Sequence, residues 1–275
     1  MHCMLMVDVL RSIHYGSVLT LSAFEVLAHE PYRNGGPFHI YKLTTLEGCL
    51  PPPAEPIGSY LVALFAILAD IHVLNSTFYP LIGSPHRESR DSQRQSQTAV
   101  RDFVSPYVPF SITNEHRLVR NKLRRALELW GKSYLALAST EVLVLYHFSH
   151  LYLGVGSMQD LPILAGYSPR LSSGEFTGTR PPMHTIDIET IQMSEAGDNA
   201  WLILEHIKHD AVMTPTWYPI AVFWAGLVVW YNLRSQVRGR AGGSRKVLLL
   251  FRDELLKMTW PCCEEMANTI YALCR

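Results

Sequence analysis

The sequence lacks an excess of charge of either sign. Lysine plus arginine number 24 and aspartate plus glutamate number 24, so the formal net charge at pH 7 is zero. Without an overall positive field, the chain does not attract a polyphosphate backbone through bulk charge. General nucleic-acid binding is therefore not expected. Hydrophobic residues make up 48% of the chain, which is enough to bury a sizeable core.

Cysteine is scarce, and its spacing is irregular. The five cysteines include no CxxC pair: Cys3, Cys49, Cys262, Cys263 and Cys274. Such a set offers neither a disulfide framework nor a four-ligand zinc site, and a reducing compartment fits it best. We expect the adjacent Cys262 and Cys263 to point to different sides of a helix and to act as small packing residues.

No apolar run has both the length and the composition of a membrane span. Residues 60–82 carry Asp70, His72 and Asn75 near their middle, and charge is costly at the centre of a bilayer. Residues 216–231 are shorter than the roughly 20 residues that a span requires. We predict a buried core helix in each stretch and no association with a membrane.

Strict strand alternation is rare in the chain, and helical periodicity dominates instead. Apolar residues recur at three- and four-residue steps over 122–137, and the segment 139–153 is apolar on nearly all sides. Further helices are predicted over four later segments: from Ser194 or Asp198 to the residue before Pro215, then 219–233, 246–258 and 261–273. The predicted fold class is all-α, a multi-helix bundle.

Polar and proline-rich segments divide these helices. We predict a single helical domain over 1–275 with flexible loops at about 83–101 and 168–185, which are rich in small and polar residues. The four prolines within 50–56 predict an extended connector. The glycines of 239–243 predict a break between two helices.

Motifs for catalysis and phosphate binding are missing. The segment Gly154-Val155-Gly156-Ser157 lacks the third glycine of a dinucleotide-binding loop and the Gly-Lys-Ser/Thr of a P-loop. No GxSxG motif is present either. We therefore predict that the chain is not an enzyme, with no catalytic residue and no cofactor site, and that this segment is a helix end.

Two histidine pairs have a spacing that can bind zinc. His147 and His150 lie one helical turn apart, as do His206 and His209. Neither pair has the adjacent glutamate of a zinc protease, and no further Cys or His follows at ligand spacing. We predict polar or core-edge histidines rather than metal ligands.

Basic residues form two local clusters. The first comprises Arg117, Arg120, Lys122, Arg124 and Arg125. Acidic residues lie beside it, which favours a solvated helix face over a phosphate-contacting patch. The second comprises Arg234, Arg238, Arg240, Arg245 and Lys246. It lies in a glycine-rich segment, where a solvated loop and a nuclear-import signal are equally open.

The most specific pattern in the chain covers residues 126–166. It contains the strings ALELW at 126–130, LYHFSHL at 145–151, QDL at 159–161 and LAG at 164–166. These strings resemble the fungal-specific transcription factor regulatory domain, or middle homology region, of regulators that read DNA with a zinc finger. The residues that carry the resemblance are Trp130, Tyr146, His147, Ser149, His150, Asp160 and Gly166.

Two outer segments agree with this resemblance. Residues 5–22 resemble the family's helix that ends in a Leu-Ser-Leu-Ser-type segment, and residues 219–230 resemble its late apolar helix. The resemblance implies an all-α fold and a transcription regulator in the nucleus. Such a regulator acts through contacts with other regulators or with the transcription machinery, or by responding to a ligand.

The family usually carries a zinc-dependent DNA-binding module ahead of this domain. The cysteine spacings of such a module are missing here, so we expect a regulatory domain truncated at its N-terminus. The resemblance then implies that zinc belongs only to the missing module. DNA would be contacted only indirectly or through that module.

A second interpretation belongs to a different class of protein. Tyr146, His147, His150 and Trp230 are aromatic or imidazole side chains that can line a pocket. The chain is then a helical small-molecule-binding protein or an enzyme. Ligand binding is compatible with regulation, because the family is itself regarded as ligand-responsive.

Overall fold

The structure is a computed structural model of the chain. It describes residues 1–29, 33–54, 58–82, 112–156, 161–167, 190–207, 215–236 and 241–274. These residues form helices, turns and short irregular segments and contain no strand. The all-α fold class is therefore confirmed. The expected loops at about 83–101 and 168–185 lie outside the described residues.

Eleven α-helices follow one another in the described part of the chain. Their bounds are α1 His2–Tyr15, α2 Ala23–Ala28, α3 Pro37–Tyr41, α4 Ser59–Ile82, α5 Ile112–Tyr134, α6 Thr140–Val155, α7 Leu161–Leu164, α8 Thr190–Ile207, α9 Tyr218–Gln236, α10 Ala241–Lys257 and α11 Cys262–Leu273. A π-helical segment, Lys42–Glu47, extends α3. A 3-10 turn, Leu135–Leu137, follows α5.

Three helix starts differ from the expectation. α5 begins at Ile112 rather than at residue 122, and α8 begins at Thr190 rather than at Ser194 or Asp198. α10 begins at Ala241, so part of the expected glycine break is helical. Capping and propensity preferences are worth only about 1 kcal/mol each, and the packing of a long helix overrides them.

One contiguous hydrophobic core extends from α1 to α11. α6 and α9 are apolar on nearly every side, and each lies among other helices: α6 packs on α4, α5, α8 and α9, and α9 packs also on α10 and α11. Glycines allow two of these close approaches. A Cβ on Gly197 would lie 2.8 Å from Asn232 Nδ2, and one on Gly226 would lie 2.8 Å from Ile270 Cδ1.

α4 is the central helix of the first half of the chain. Its window Ser59–Ser76 is long and apolar enough to cross a membrane, and 72% of that window is buried inside the fold. Burial of this extent is typical of a core helix, because a helix that is apolar all round must be covered on every side. The absence of membrane association stays a prediction.

The polar residues in the middle of α4 are directed at partners within the fold. His72 donates from Nε2 to the Ser17 carbonyl oxygen at 2.7 Å, since that oxygen can only accept. Nδ1 then accepts from the Tyr152 hydroxyl at 2.9 Å. Asn75 Nδ2 donates to the Tyr152 carbonyl oxygen at 3.0 Å. These bonds tie α4 to α6 and to the segment that follows α1.

Asp8 fixes the turn after α1. Its carboxylate accepts hydrogen bonds from the Thr20 hydroxyl at 2.7 Å and from the backbone N–H groups of Thr20 and Leu21 at 2.8 and 2.9 Å. Burial alone would raise the pKa of Asp8, but these hydrogen bonds outweigh it and the pKa lies below its usual value. The charged carboxylate therefore holds the 16–21 segment against α1.

Candidate functional site

Five aromatic or imidazole rings from three helices meet beside α6. They belong to Trp130 in α5, to Tyr146, His147 and His150 in α6, and to His206 in α8, and we call them the aromatic–histidine cluster. All five were singled out from the sequence, four by the resemblance and His206 as a member of a histidine pair. Tyr146 and His150 are four residues apart, so they share one face of α6.

Trp130 anchors the cluster in the core. Its side chain is fully buried, and its ring stacks on Tyr146 with centroids 5.4 Å apart and planes 21° apart. The indole Nε1 donates to the Tyr60 carbonyl oxygen at 2.8 Å. Since an aromatic pair contributes about 0.5 to 1.5 kcal/mol beyond its burial, Trp130 holds α4, α5 and α6 together.

Tyr146 fills the space between α5 and α6. Burial, reinforced by the negative charge of Glu128, raises the pKa of Tyr146 to about 12, so its hydroxyl is neutral at pH 7. The hydroxyl lies against Gly131 of α5. A Cβ at that position would be 2.6 Å from the hydroxyl oxygen, which makes glycine the residue that lets the two helices approach.

His147 connects α6 to α8. Its Nδ1 lies 3.0 Å from the Asn199 side-chain oxygen, which only accepts, so Nδ1 carries the proton. The imidazole stacks on His206 with centroids 5.4 Å apart and planes 13° apart. Burial lowers the pKa of His147, and the nearby His206 acts in the same direction, although the hydrogen bond to Asn199 opposes both.

His150 is the member of the cluster with an unsatisfied polar atom. Its Nε2 is buried and has no hydrogen-bond partner among the described residues. Its ring meets Tyr146 edge-on with centroids 4.7 Å apart. Burial lowers the pKa of His150 to about 4, with His147 and Arg124 acting in the same direction. The ring is therefore neutral at physiological pH.

The other residues of the resemblance have local roles. Ser149 is fully buried, and its hydroxyl donates to the Leu145 carbonyl oxygen one turn earlier at 2.9 Å. Gly166 has φ +87° in the turn after α7, a conformation that L side chains rarely adopt. Asp160 lies outside the described residues. Neither described residue offers a reactive group to solvent.

The described residues contain no group of three or more His, Cys, Asp or Glu side chains arranged to hold a metal ion. His147 and His206 stack with nearly parallel rings. Imidazole lone pairs lie in the ring plane, so stacked rings do not direct two nitrogens at one ion. His209, the second member of its pair, lies outside the described residues.

The pocket of the second interpretation is only partly assembled. The rings of His147 and His150 each contact the Tyr146 ring edge-on, so these three side chains pack on one another rather than line an open space. Trp230 belongs to α9, and its ring lies under the Arg234 guanidinium, 5.7 Å from the ring centroid. The four side chains are therefore not one set of stacked rings.

The first basic cluster divides into structural and exposed members. Arg120 donates to the carbonyl oxygens of Leu153 and Gly154 at 2.9 and 3.0 Å, so it caps the C-terminal end of α6. Arg124 pairs with Glu195 of α8 at 3.0 Å. Lys122 is exposed. Of the second cluster, Arg238 and Arg240 lie outside the described residues, as does the side chain of Arg245.

Sequence reasoning named Asp70 of α4 but missed its partner; the side chain is half-buried. The Tyr41 hydroxyl donates to Asp70 Oδ2 at 2.7 Å. Burial raises the pKa of Asp70 to about 6, against the opposing effects of the Tyr41 hydrogen bond and the positive charge of Lys122. Residues 29 positions apart form this pair. Only the apolar sequence around Asp70 was a signal, and it did not identify the partner.

The two adjacent cysteines differ in burial. Cys263 is buried and Cys262 is half-buried against the core, in agreement with a packing role. The interaction with Cys263 lowers the pKa of Cys262 to about 7, and the pKa of Cys263 is raised. The orientation of the two thiols to different sides of α11 stays a prediction.

No family model matches the chain, and no curated protein or solved structure is significantly similar to it.

Proposed function

We propose that the chain is the regulatory domain of a fungal zinc-finger-type transcription regulator. It acts in the nucleus through contacts with other regulators or with the transcription machinery, and it performs no catalysis. Zinc and direct DNA contact belong to a separate DNA-binding module. The proposal starts from the short strings around Trp130, Tyr146, His147 and His150.

The observation that carries the proposal is that these side chains make contacts between helices. The Trp130 indole bonds a backbone carbonyl oxygen, the Tyr146 hydroxyl packs against a glycine, and His147 bonds Asn199 of α8. Side chains engaged in this way define how helices pack. A string of such residues supports a shared architecture, and function then resides in surfaces and in changes of conformation.

A reporter assay tests this proposal. The chain is fused to a heterologous DNA-binding module and expressed in a fungal cell with a reporter that carries that module's sites. We expect the fusion to raise or lower reporter output relative to the module alone. A fusion carrying Trp130→Ala, which opens a cavity at the cluster, should lose the effect at equal protein level. A folded, nuclear fusion without any effect on the reporter contradicts the proposal.

One observation favours a second function, the binding of a small molecule. His150 Nε2 is buried on a neutral ring and has no partner among the described residues, and a polar ligand group would satisfy it, a donor or an acceptor according to the tautomer. Thermal-shift screening of the purified chain with metabolites tests this function. Stabilisation that is lost in His150→Leu supports it, and stoichiometric zinc in the purified chain would overturn our interpretation of the histidines.

A further inference from the structure

Two adjoining surface grooves run along the outer side of α5. Each has a volume of about 350 Å³, and they share Asn121 and Arg125 in their walls. We call them together the α5 groove. One part is lined by Arg124, Glu128, Leu129 and Lys132 of α5. The other is lined by Lys122 and by residues 44–48, which belong mostly to the π-helical segment.

The charge of this groove is positive in a chain whose net charge is zero. Four cations, Lys122, Arg124, Arg125 and Lys132, face two carboxylates, Glu47 and Glu128. Glu47 is already paired with Lys42 at 3.1 Å, and Arg124 with Glu195 at 3.0 Å. In the described part of the chain, no ion pair engages Lys122, Arg125 or Lys132. An anionic partner therefore meets three cations without a carboxylate at ion-pair distance, one of which, Arg125, also donates to the Gly48 carbonyl oxygen.

The geometry of the groove is held by the backbone. Arg125 donates to the Gly48 carbonyl oxygen at 3.2 Å, which joins α5 to the end of the π-helical segment. The Thr44 hydroxyl donates to the Ile40 carbonyl oxygen at 2.8 Å, which joins the π-helical segment to α3. π-helical turns interrupt the regular ladder and occur often at functional sites. The cations are thus presented on a formed surface.

The length and the apolar residues of the groove indicate what kind of partner fits it. Asn121 and Lys132 are separated by about 16 Å along the helix axis, which is the span of about five extended residues. Leu46 is 47% exposed, and Leu129 is half-buried in the wall. A ligand with only charges would leave these leucines uncovered. A short acidic peptide with an apolar side chain covers them and meets the cations.

We propose that the α5 groove binds an acidic peptide segment of a partner protein, one that carries at least one apolar side chain between its carboxylates. This inference rests on the proposed function in that it specifies the kind of protein segment contacted. Direct binding to the purified chain does not require any effect on transcription. The reporter assay and the binding assay can therefore fail separately.

Fluorescence anisotropy with a labelled peptide tests the proposal. The probe has the sequence Asp-Glu-Leu-Asp-Asp-Phe-Glu, and its control replaces every acid by the matching amide. We expect saturable binding of the acidic probe only, weakened by salt because exposed charges are screened within about 8 Å at physiological ionic strength. Equal binding of both probes, or binding of neither, overturns the proposal.

Substitutions locate the site. Lys122→Gln and Lys132→Gln should each weaken binding about 1.4- to 5-fold, and the double variant more, since exposed ion pairs contribute about 0.2 to 1 kcal/mol. Both side chains are exposed, and the Arg125 contact is left intact. Lys246→Gln on α10 is the matched control and should bind as the unsubstituted chain does. If Lys246→Gln weakens binding as strongly, the proposed site is wrong.

A polyphosphate of equal charge separates a peptide site from a general anion site. We expect it to compete more weakly than the peptide, because it makes no contact with Leu46 or Leu129. Competition at the same affinity overturns the assignment to a peptide. The double variant should keep the thermal transition of the unsubstituted chain, which confirms that lost binding is not lost folding.

Discussion

At the scale of single residues, the aromatic–histidine cluster depends on close fit more than on reactive groups. Tyr146, stacked on Trp130, leaves no room for a side chain at position 131. His150 lies in the same contact set with a buried nitrogen that has no partner among the described residues. Gly131 is small enough to admit the Tyr146 hydroxyl, and His150 is neutral because it is buried. Each of these two properties gives a prediction.

Gly131→Ala should destabilise the chain. The new Cβ would meet the Tyr146 hydroxyl at 2.6 Å and its Cζ at 3.0 Å, and the buried ring has little room to move. Overpacking costs about 1 to 3 kcal/mol, which exceeds the gain in helix propensity of about 1 kcal/mol. Urea unfolding measures the loss.

A second variant shows whether the contact with Tyr146 is the cause. Tyr146→Phe removes the hydroxyl, so adding it to Gly131→Ala should recover part of the lost stability. Additive losses in the double variant would mean that the two residues do not interact. We expect Gly131→Ala to lose more stability than Tyr146→Phe. The double variant should lose less stability than Gly131→Ala alone.

His150 should make folding stability depend on pH. Burial lowers its pKa in the folded chain to about 4 from the usual 6.5, so the unfolded chain binds the proton more readily. This contribution to stability is complete above pH 6.5 and is lost as the pH falls towards 4. In His150→Leu the slope of the unfolding free energy over this window should decrease by up to about 1.4 kcal/mol per pH unit.

The pH prediction has a matched control in an exposed histidine. His29 lies just after α2 and is exposed, so His29→Leu should leave the slope between pH 6.5 and 4 as it is in the unsubstituted chain. His147 and Arg124 remain charged or titratable neighbours in both variants. An unchanged slope in His150→Leu contradicts the burial of this ring.

At the scale of elements, the hydrogen bonds of α4 allow a test of whether this helix is a core helix or a membrane span. Its His72 is 1% exposed and bonds Ser17 and Tyr152 on two other segments. His72→Leu would leave a buried carbonyl oxygen and a buried hydroxyl without this partner. We expect a loss of about 2 to 4 kcal/mol in the free energy of unfolding. Tyr152→Phe removes only one of these bonds and should cost less.

The sign of the His72→Leu effect discriminates between the two environments. In a bilayer, replacement of a polar side chain by leucine lowers the cost of insertion and stabilises the span. In a folded core, the same change breaks two hydrogen bonds. Chemical unfolding of the purified variant measures the sign, and a stabilised His72→Leu chain would contradict the core assignment of α4.

The elements also show what the sequence can predict. The apolar runs of α6 and α9 predict their existence and extent, because a helix buried on all sides is apolar on all sides. The predicted starts of α5, α8 and α10 were wrong: each helix begins several residues earlier, and the capping residues Ser194 and Asp198 lie inside α8. A capping residue therefore predicts where a helix ends only when no larger contribution to stability extends the helix past it.

At the scale of the whole molecule, the site was predictable as a set of residues but not as an arrangement. Tyr146, His147, His150 and His206 stand out in the sequence, but nothing there shows that His206 stacks on His147 or that Asn199 bonds it, since both come from a helix more than 50 positions later. Periodicity within α6 carries no information on which side of α8 faces it. The pairing of Tyr41 with Asp70 was missed for the same reason.

We propose that the chain regulates transcription through protein contacts. Affinity purification of the tagged chain from nuclei of a fungal host, followed by identification of bound proteins, is the decisive test. We expect recovery of transcription regulators or components of the transcription machinery, and less of them with Trp130→Ala. Recovery of the folded chain from nuclei with none of these proteins, or its exclusion from nuclei, would contradict the proposal.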